Sequence, residues 1–482
     1  MVPASGRGRC TNFGFQKFGQ YTRIKLMRQT ARHLLARLVL DYFRILAQLQ
    51  LIKINLWRRL RGQKSIIIIG VTGSAGKTST MHALVAGLKS QFQVKYSQKA
   101  NSESGIPLNI LGLSMKDYSF KDWLRVALGA PLKLLTNWQD YDIYVVEMGV
   151  DEPTEPKNMG YLLKIIRPQI AVFTSVTSVH SQQFEAAGYK DPLRAIAQEK
   201  GRLIASLPQD GWAILNGDDP LVEQQKKRTR AQIFVVGWKK EADLQIIRWS
   251  VSVQATKLSY RWQGEKYLLE LPGFVLPRVY GHTFGFALAV AASQKIPLKK
   301  ALANITREFR LPPGRSTLIK GLKGALIIDS SYNASPAAMA TMLELLDHLG
   351  RKTGRKKVAI LGDMRELGQQ SAREHQQLAR RAIKVVEEII LVGPEMKRYF
   401  YPAALKSGFS QKRLHWFATA GAAAHFLRPQ IRGRELILVK GSQNTIFLEI
   451  IVESLMKDSS QAEELLCRRG HFWDRRRQPF VD

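Results

Sequence analysis

The chain has 482 residues, 45% of them hydrophobic and 23% charged, with a formal net charge of +34. That length is more than one core organises and predicts two or three domains, while the composition excludes a disordered or fibrous chain. The charge suits anionic partners (nucleic acid, acidic lipid or small polyanions), and the two cysteines, Cys10 and Cys467, exclude a disulfide framework or cysteine metal motif and point to a reducing compartment.

Residues 1–63 hold about 13 Lys/Arg and a single acid, Asp41. The first 25 residues lack the apolar stretch of a secretory signal. From about Arg28 to Arg61 the spacing predicts a helix or helix pair. His33, Arg37, Asp41, Arg44, Gln48 and Asn55 fall largely on one stripe, and apolar residues such as Leu38, Phe43, Ile45, Leu49 and Ile52 cover the rest. Charges interrupt it too often for a membrane span. Two uses stay open for residues 28–61: packing on the next domain or a partner chain, or lying on an anionic membrane surface.

Residues 64–311 alternate strand-like and helix-like segments, which predicts a mostly parallel α/β sheet. Strands are expected at Ser65–Ile69, Ile143–Glu147, Ile170–Thr174 and Ala213–Leu215, with a small antiparallel insertion over Gln245–Leu269. The first strand runs into Gly70-Val71-Thr72-Gly73-Ser74-Ala75-Gly76-Lys77-Thr78-Ser79-Thr80, and a helical pattern follows from Met81. Strand, glycine-rich turn and helix are the context of a phosphate-binding loop. Glycines let the backbone curl so that N–H groups point inward, and the helix N-terminus adds its positive dipole end. Gly73, Ser74, Ala75, Gly76, Lys77, Thr78 and Ser79 are the expected nucleotide contacts. Lys77 can reach the β- and γ-phosphates, and the Thr78 hydroxyl can bind Mg²⁺. Val71 stands where the usual motif has its first glycine, so the glycines fall as G-x-x-G-x-x-G-K-T. Glu147 closes an apolar strand, where a carboxylate can share Mg²⁺ with Thr78.

Leu311-Pro312-Pro313-Gly314-Arg315 reads as a linker. After it, residues 312–482 alternate again: Ala325–Asp329, Met339–Leu349, Val358–Leu361, Gln377–Val386, Ile389–Val392 and Leu436–Val439. This predicts a second, smaller Rossmann-like α/β domain. The tail Arg468–Pro479 is basic and reads as a solvated helix end. The expected organisation is a basic helical extension (1–63), a central P-loop domain (64–311) and a C-terminal domain (312–482).

Several motifs stand in order along these domains. They are the phosphate loop, Asn101-Ser102-Glu103-Ser104-Gly105-Ile106-Pro107, Glu147-Met148-Gly149, Thr174 through His180, Glu199-Lys200-Gly201, Asn216-Gly217-Asp218-Asp219-Pro220, Gly314-Arg315, Ser331-Tyr332-Asn333-Ala334, Asp363-Met364-Arg365-Glu366-Leu367-Gly368 and Lys440-Gly441-Ser442. Together they resemble the Mur ligase family over about residues 64–455. The Ser-Tyr-Asn-Ala and Asp-Met-x-Glu-Leu-Gly motifs favour its branch that adds D-alanyl-D-alanine to a UDP-N-acetylmuramoyl-tripeptide.

The resemblance implies a cytoplasmic ligase of cell-wall precursor synthesis, with a peripheral place at the inner membrane face open to it. ATP phosphorylates a carboxylate, and an amine then captures the acyl phosphate. It implies two Mg²⁺ ions, with Thr78 and Glu147 at one, and His180 and a carbamylated Lys200 at the other. An unmodified Lys200 would be a phosphate or surface contact. It puts Asn101, Ser102 and Glu103 beside the muramoyl-peptide, Arg315 on the ATP phosphates, Asp329 on the ribose, and Tyr332 and Asn333 on the adenine side, where structural roles fit equally. Asp363, Glu366, Lys440 and Ser442 would meet the incoming dipeptide or the closed interface. Nucleic acid is not an expected partner, because the basic residues are dispersed and no recognition module is present. The sequence departs from the family pattern in several places. Basic, helix-like residues stand where an α/β module grips UDP. Ser175 and Phe286 each replace a usual Asn, and Ser330 and Ser335 replace a common Asp and Asn.

Overall fold

The structure is a computed structural model that describes residues 13–98, 100–179, 181–442 and 445–481, with side chains from residue 35 onward. Two α/β lobes follow a long helix, α1 (Phe13–Leu60). The central lobe is built on β1 (Ile67–Thr72), β2 (Val94–Tyr96), β3 (Ile143–Glu147), β4 (Ile170–Phe173), β5 (Trp212–Asn216), β6 (Gln232–Gly237), β7 (Leu244–Val251), β8 (Ala255–Trp262) and β9 (Glu265–Pro272). Their order across the sheet is β2-β3-β1-β4-β5-β6-β7-β8-β9. Strands β1–β6 are parallel to their neighbours, because each crossover carries a helix. The chain leaves β1 toward one edge and later returns to its other side, so β1 sits at the switch point where open α/β sheets leave a crevice for ligands.

The first strand begins at Ile67 and runs to Thr72, later than Ser65–Ile69, because the Ile66 N–H is spoken for by Asn55 Oδ1 of α1. The antiparallel insertion is present over residues 244–272. It continues the main sheet through a β6–β7 pairing of Val236 with Leu244 and Gly237 with Gln245.

The second lobe has β10 (Thr317–Lys320), β11 (Leu326–Asp329), β12 (Lys356–Gly362), β13 (Glu388–Val392), β14 (Leu414–Phe417) and β15 (Glu435–Lys440), ordered β10-β11-β15-β12-β13-β14. All pairs are parallel except β10–β11. The lobes meet where the far end of the insertion packs on helix Pro336–Thr353. Val251 and Val275 join that helix's core, Trp249 lies 4.9 Å from the His348 ring, and Lys352 donates to the Val251 carbonyl at 3.0 Å.

Helix α1 is fastened to the central lobe by polar groups. Gln50 and Lys53 donate to the Asn137 carbonyl at 2.8 and 2.9 Å, Gln48 to the Lys164 carbonyl at 2.6 Å, and Arg58 pairs with Asp140 and Asp142. Phe43, Ala47, Leu51 and Ile54 are buried between them. Residues 39–61 thus form one body with the central lobe. Packing on the next domain is realised there.

The tail is a solvated end only in part, at His471, Asp474, Arg475 and Arg476. Arg468 and Arg477 are buried, and Phe480 packs on Phe447 at 5.0 Å. The charge run misleads because its partners, Glu449 and Glu453, lie on a preceding helix that the tail folds back to meet.

Candidate active site

The phosphate loop leaves β1 at Thr72 and enters α2 (Lys77–Leu88) at Gly76. Gly73 and Gly76 take φ of 142° and 82°, which a side chain rarely allows. At Gly73 the restriction is also steric, since a Cβ would lie 2.0 Å from Thr174 Oγ1. The loop is held from the β4 side. Ser74 N donates to the Ser175 carbonyl at 2.8 Å, Thr174 Oγ1 to the Ala75 carbonyl at 2.6 Å, and Thr177 N to Ser74 Oγ at 3.0 Å. Asp219 fixes that side in turn by accepting from Val176 N at 2.7 Å, and Asn216 donates to the Thr174 carbonyl at 2.8 Å. Thr174 and Asp219 are positioning residues that no individual role pointed to. The stretches Thr174 through His180 and Asn216 through Pro220 were their signals.

Thr78 Oγ1 donates to Glu147 Oε2 at 2.7 Å, and Asn101 Nδ2 lies 3.4 Å from Glu147 Oε1. Ser97 Oγ receives the Glu147 N–H at 2.8 Å, which sets the end of β3. From the other lobe Arg315 Nη2 reaches Thr78 Oγ1 at 3.4 Å, its guanidinium lies 4.3 Å from the Tyr332 ring centroid, and its Nε has no partner. Lys77 Nζ folds onto the Gly73 carbonyl at 2.9 Å. Lys77, Thr78, Glu147, Asn101, Arg315 and Tyr332 therefore gather at one cleft. Ser79 is buried behind the loop, 3.1 Å from the Tyr280 hydroxyl. Ser102 Oγ accepts from Gly105 N at 3.2 Å, turning the chain into helix α3 (Gly105–Leu111). Glu103 is half-buried there, and burial raises its carboxyl pKa.

Lys200 lies in the helix Pro192–Ala205 and is 1% exposed. Its Nζ donates to the Val150 carbonyl at 3.0 Å. Burial first, and then the charge of Lys77, brings its pKa down to about 7. His180 lies outside the described residues.

In the second lobe Asp329 is fully buried at the end of β11, where Oδ1 accepts from Ser331 N at 2.9 Å and Oδ2 has no partner. Burial pushes its pKa up to about 6. Lys440 donates to the Asn333 carbonyl at 2.8 Å and to Ser330 Oγ at 3.2 Å, and burial lowers it to about 7. Both brace the loop that carries Tyr332 and the exposed Asn333. The same loop is clamped by Arg468, which donates to the Ser331 and Tyr332 carbonyls at 2.9 Å each and forms a buried pair with Glu449. Sequence reading missed Arg468.

Asp363 Oδ1 accepts from Met396 N at 2.8 Å, and a Cβ at Gly393 would lie 2.6 Å from its carboxylate, so its side chain faces protein. Ser442 ties two loops by donating its N–H to the Asp363 carbonyl and accepting from Arg365 N, each at 3.0 Å. Glu366 is exposed at a φ of 63°. Asp363 and Glu366 lie in the segment whose Leu367 carbonyl accepts from Ser181 Oγ of the central lobe at 3.5 Å.

The residues present suit a magnesium nucleotide. The loop can curl against Thr174 and Ser175 only while Gly73 lacks a side chain, and Thr78 and Glu147 offer hard oxygens, the donors Mg²⁺ prefers. Among the described residues no group of three or more His, Cys, Asp or Glu gathers as a protein-only cage. A cleft of this kind, between a P-loop lobe and a second α/β lobe that sends an arginine across, marks a two-lobed nucleotide-dependent enzyme.

Comparison with known proteins agrees. Residues 71–275 match the Mur ligase middle domain and residues 314–443 the Mur ligase glutamate ligase domain, together more than half of the chain. The chain belongs to the Mur ligase family. It is 25% identical over 425 residues to the UDP-N-acetylmuramoyl-tripeptide–D-alanyl-D-alanine ligase of Buchnera aphidicola, covering 85% of this chain and 79% of that one. To the enzyme of the same name from Escherichia coli K12 it is 26% identical over 407 residues, covering 81% and 77%. In fold it is similar to a MurF ligase from Thermotoga maritima in complex with ADP, with a TM-score of 0.69, 22% identity, and 88% and 84% of the two chains covered. A folylpolyglutamate synthase from Mycobacterium tuberculosis complexed with ADP and AMPPCP shares the fold at a TM-score of 0.57 and 16% identity, with 81% and 92% covered.

Proposed function

We propose that this enzyme joins D-alanyl-D-alanine to a UDP-N-acetylmuramoyl-tripeptide, spending ATP to form the amide through an acyl phosphate. The observation that carries the reading is the contact across the cleft, Arg315 to Thr78 to Glu147, which joins the second lobe to the edge of the first that would hold Mg²⁺. Lys77 and the loop N–H groups would hold the β- and γ-phosphates, and Arg315 would add charge where the transferred phosphoryl group develops it. Thr78 and Glu147 would hold Mg²⁺, which neutralises phosphate charge and fixes its orientation. Asn101, Ser102 and Glu103 lie on the loop beside Glu147, where the acceptor carboxylate must approach. The amine would then attack the acyl phosphate, form the amide C–N bond and release inorganic phosphate.

Lys200 fits a second metal position once carbamylated. A buried amine favours its neutral form, and that form adds to CO₂, losing one proton to become an anionic carbamate. With ¹³C-bicarbonate the enzyme should show a carbamate carbon resonance that disappears in Lys200→Met; a spectrum without it removes the second site in this form.

The reaction is tested by phosphate release, which should require ATP, the UDP-tripeptide and D-alanyl-D-alanine together; release indifferent to both non-nucleotide substrates ends the proposal. A second reading keeps the chemistry and changes the acceptor to a membrane-linked carboxylate. It is favoured by α1, which packs on the central lobe through Gln50 and Lys53 and leaves Leu38, Ile45, Leu49 and Ile52 exposed. In the same assay, turnover with a lipid-linked muramoyl-peptide but not the UDP form would select it.

A further inference from the structure

Helix α1 is apolar on both faces. Its inner face buries Phe43, Ala47, Leu51 and Ile54 with Gln50 and Arg58 among them, and Leu35, Leu38, Tyr42, Ile45, Leu49 and Ile52 are exposed on its outer face. Those six recur at intervals of three and four, so they form one stripe, opposite the buried Ala47, Leu51 and Ile54. A second helix, α4 (Phe120–Thr136), lies beside α1, held by the Tyr42 hydroxyl on the Ala127 carbonyl at 2.8 Å and by Phe43 against Trp123 at 6.0 Å. It repeats the arrangement. Val126 and Ala130 face inward, and Leu124, Leu128, Leu132 and Leu135 face out. Of the 22 large apolar side chains exposed among the described residues, 16 belong to these two helices and their flanks. Soluble proteins rarely leave so continuous an apolar face uncovered.

We propose that this two-helix face rests on an anionic lipid surface. A second copy of the chain would suit the spacing along α1, but it would bring like charges together, because residues 1–40 carry eight Lys/Arg and no acid. The face is also two helices wide, broader than the single seam of a helix pair. Acidic lipid answers both features, taking the apolar stripes into its headgroup boundary and the bases against its charge. At one end Trp57 and Trp138 meet edge to face at 5.4 Å, with Lys53 over Trp138 at 4.4 Å and Arg61 over Trp57 at 5.9 Å. Indoles flanked by cations are the side chains that settle at such a boundary. No helix among the described residues is long and apolar enough to cross a membrane. The contact is therefore peripheral.

The test is co-sedimentation of the full chain with vesicles of phosphatidylcholine alone or mixed with phosphatidylglycerol, at low and at about 0.5 M salt. Binding should require phosphatidylglycerol and weaken with salt. The triple variant Ile45→Glu, Ile52→Glu and Leu128→Glu changes only exposed positions, so it should keep the wild-type melting temperature and lose binding by about tenfold or more. Failure of the wild type to bind either vesicle overturns the proposal. So does a triple variant that binds as well as wild type, and so does a solution dimer that the same substitutions disperse while vesicles are ignored.

Discussion

The two sides of the cleft are built on different terms. On the P-loop side, Lys77, Thr78 and Asn101 are at least partly open to solvent, and their hydrogen bonds are ones a phosphate or metal can replace. On the other side, the loop after β11 is held by Lys440, Asp329 and Arg468, all buried and all bonded to the loop itself. The first is a working surface and the second a mount that presents Arg315 and Tyr332 to it. Substitutions should therefore separate into those that cost turnover and those that cost stability.

The largest effect expected is on the mount. Arg468→Met leaves Glu449 charged and unpaired in the interior, and should lower stability by about 3–5 kcal/mol, read by denaturant titration of the purified protein. Adding Glu449→Met should recover much of that loss. An Arg468→Met protein as stable as wild type would erase the distinction between the two sides. Next, Lys77→Ala should reduce turnover by about 10²–10³-fold with an unchanged melting temperature; a large drop in melting temperature would make Lys77 part of the mount instead. Arg315→Lys keeps the charge but loses the planar fork, and should reduce turnover by about tenfold, with stability unaffected.

The smallest effect is a pH dependence. Lys440 titrates near 10.5 when unfolded and at about 7 in the fold, so between those values the unfolded chain holds a proton that the native chain lacks. Its contribution to stability must rise with pH across that window; the penalty is full below about 7 and gone above 10.5. Lys440→Met removes the penalty together with three hydrogen bonds. Denaturation curves at pH 7 and pH 9 should show the wild type gaining on the variant at the higher pH, and a gap that shrinks would contradict the assignment.

What could be read in advance was local. Runs such as Ile143–Val146 and Leu326–Ile328 are β-branched or leucine-rich and end in a carboxylate, so both the strand and its ligand edge are written in a few consecutive residues. Glu147 followed from such a stretch, Lys77 from the glycine-rich turn after one, and Arg315 from the family resemblance, and the fold brings the three together. What escaped depends on partners far along the chain. Gln50 and Arg58 look like solvent residues until Asn137, Asp140 and Asp142 fold over them. Arg468 lies in a basic run whose meaning comes from carbonyls more than a hundred positions earlier. Short strands such as β2 and β14, three and four residues long, are too brief for a periodic signal.

The packed corner between the sheet extension and helix Pro336–Thr353 has a mechanical meaning. With Trp249, Val251 and Val275 embedded against that helix, the lobes are joined at a second point besides the chain passing through Arg315. Any rocking must pivot there and part the other rim contact, where Ser181 Oγ meets the Leu367 carbonyl at 3.5 Å and Gly368 lies against Gln182. The mouth of the enzyme is thus set to swing from that rim, while the arginine near the fulcrum travels least.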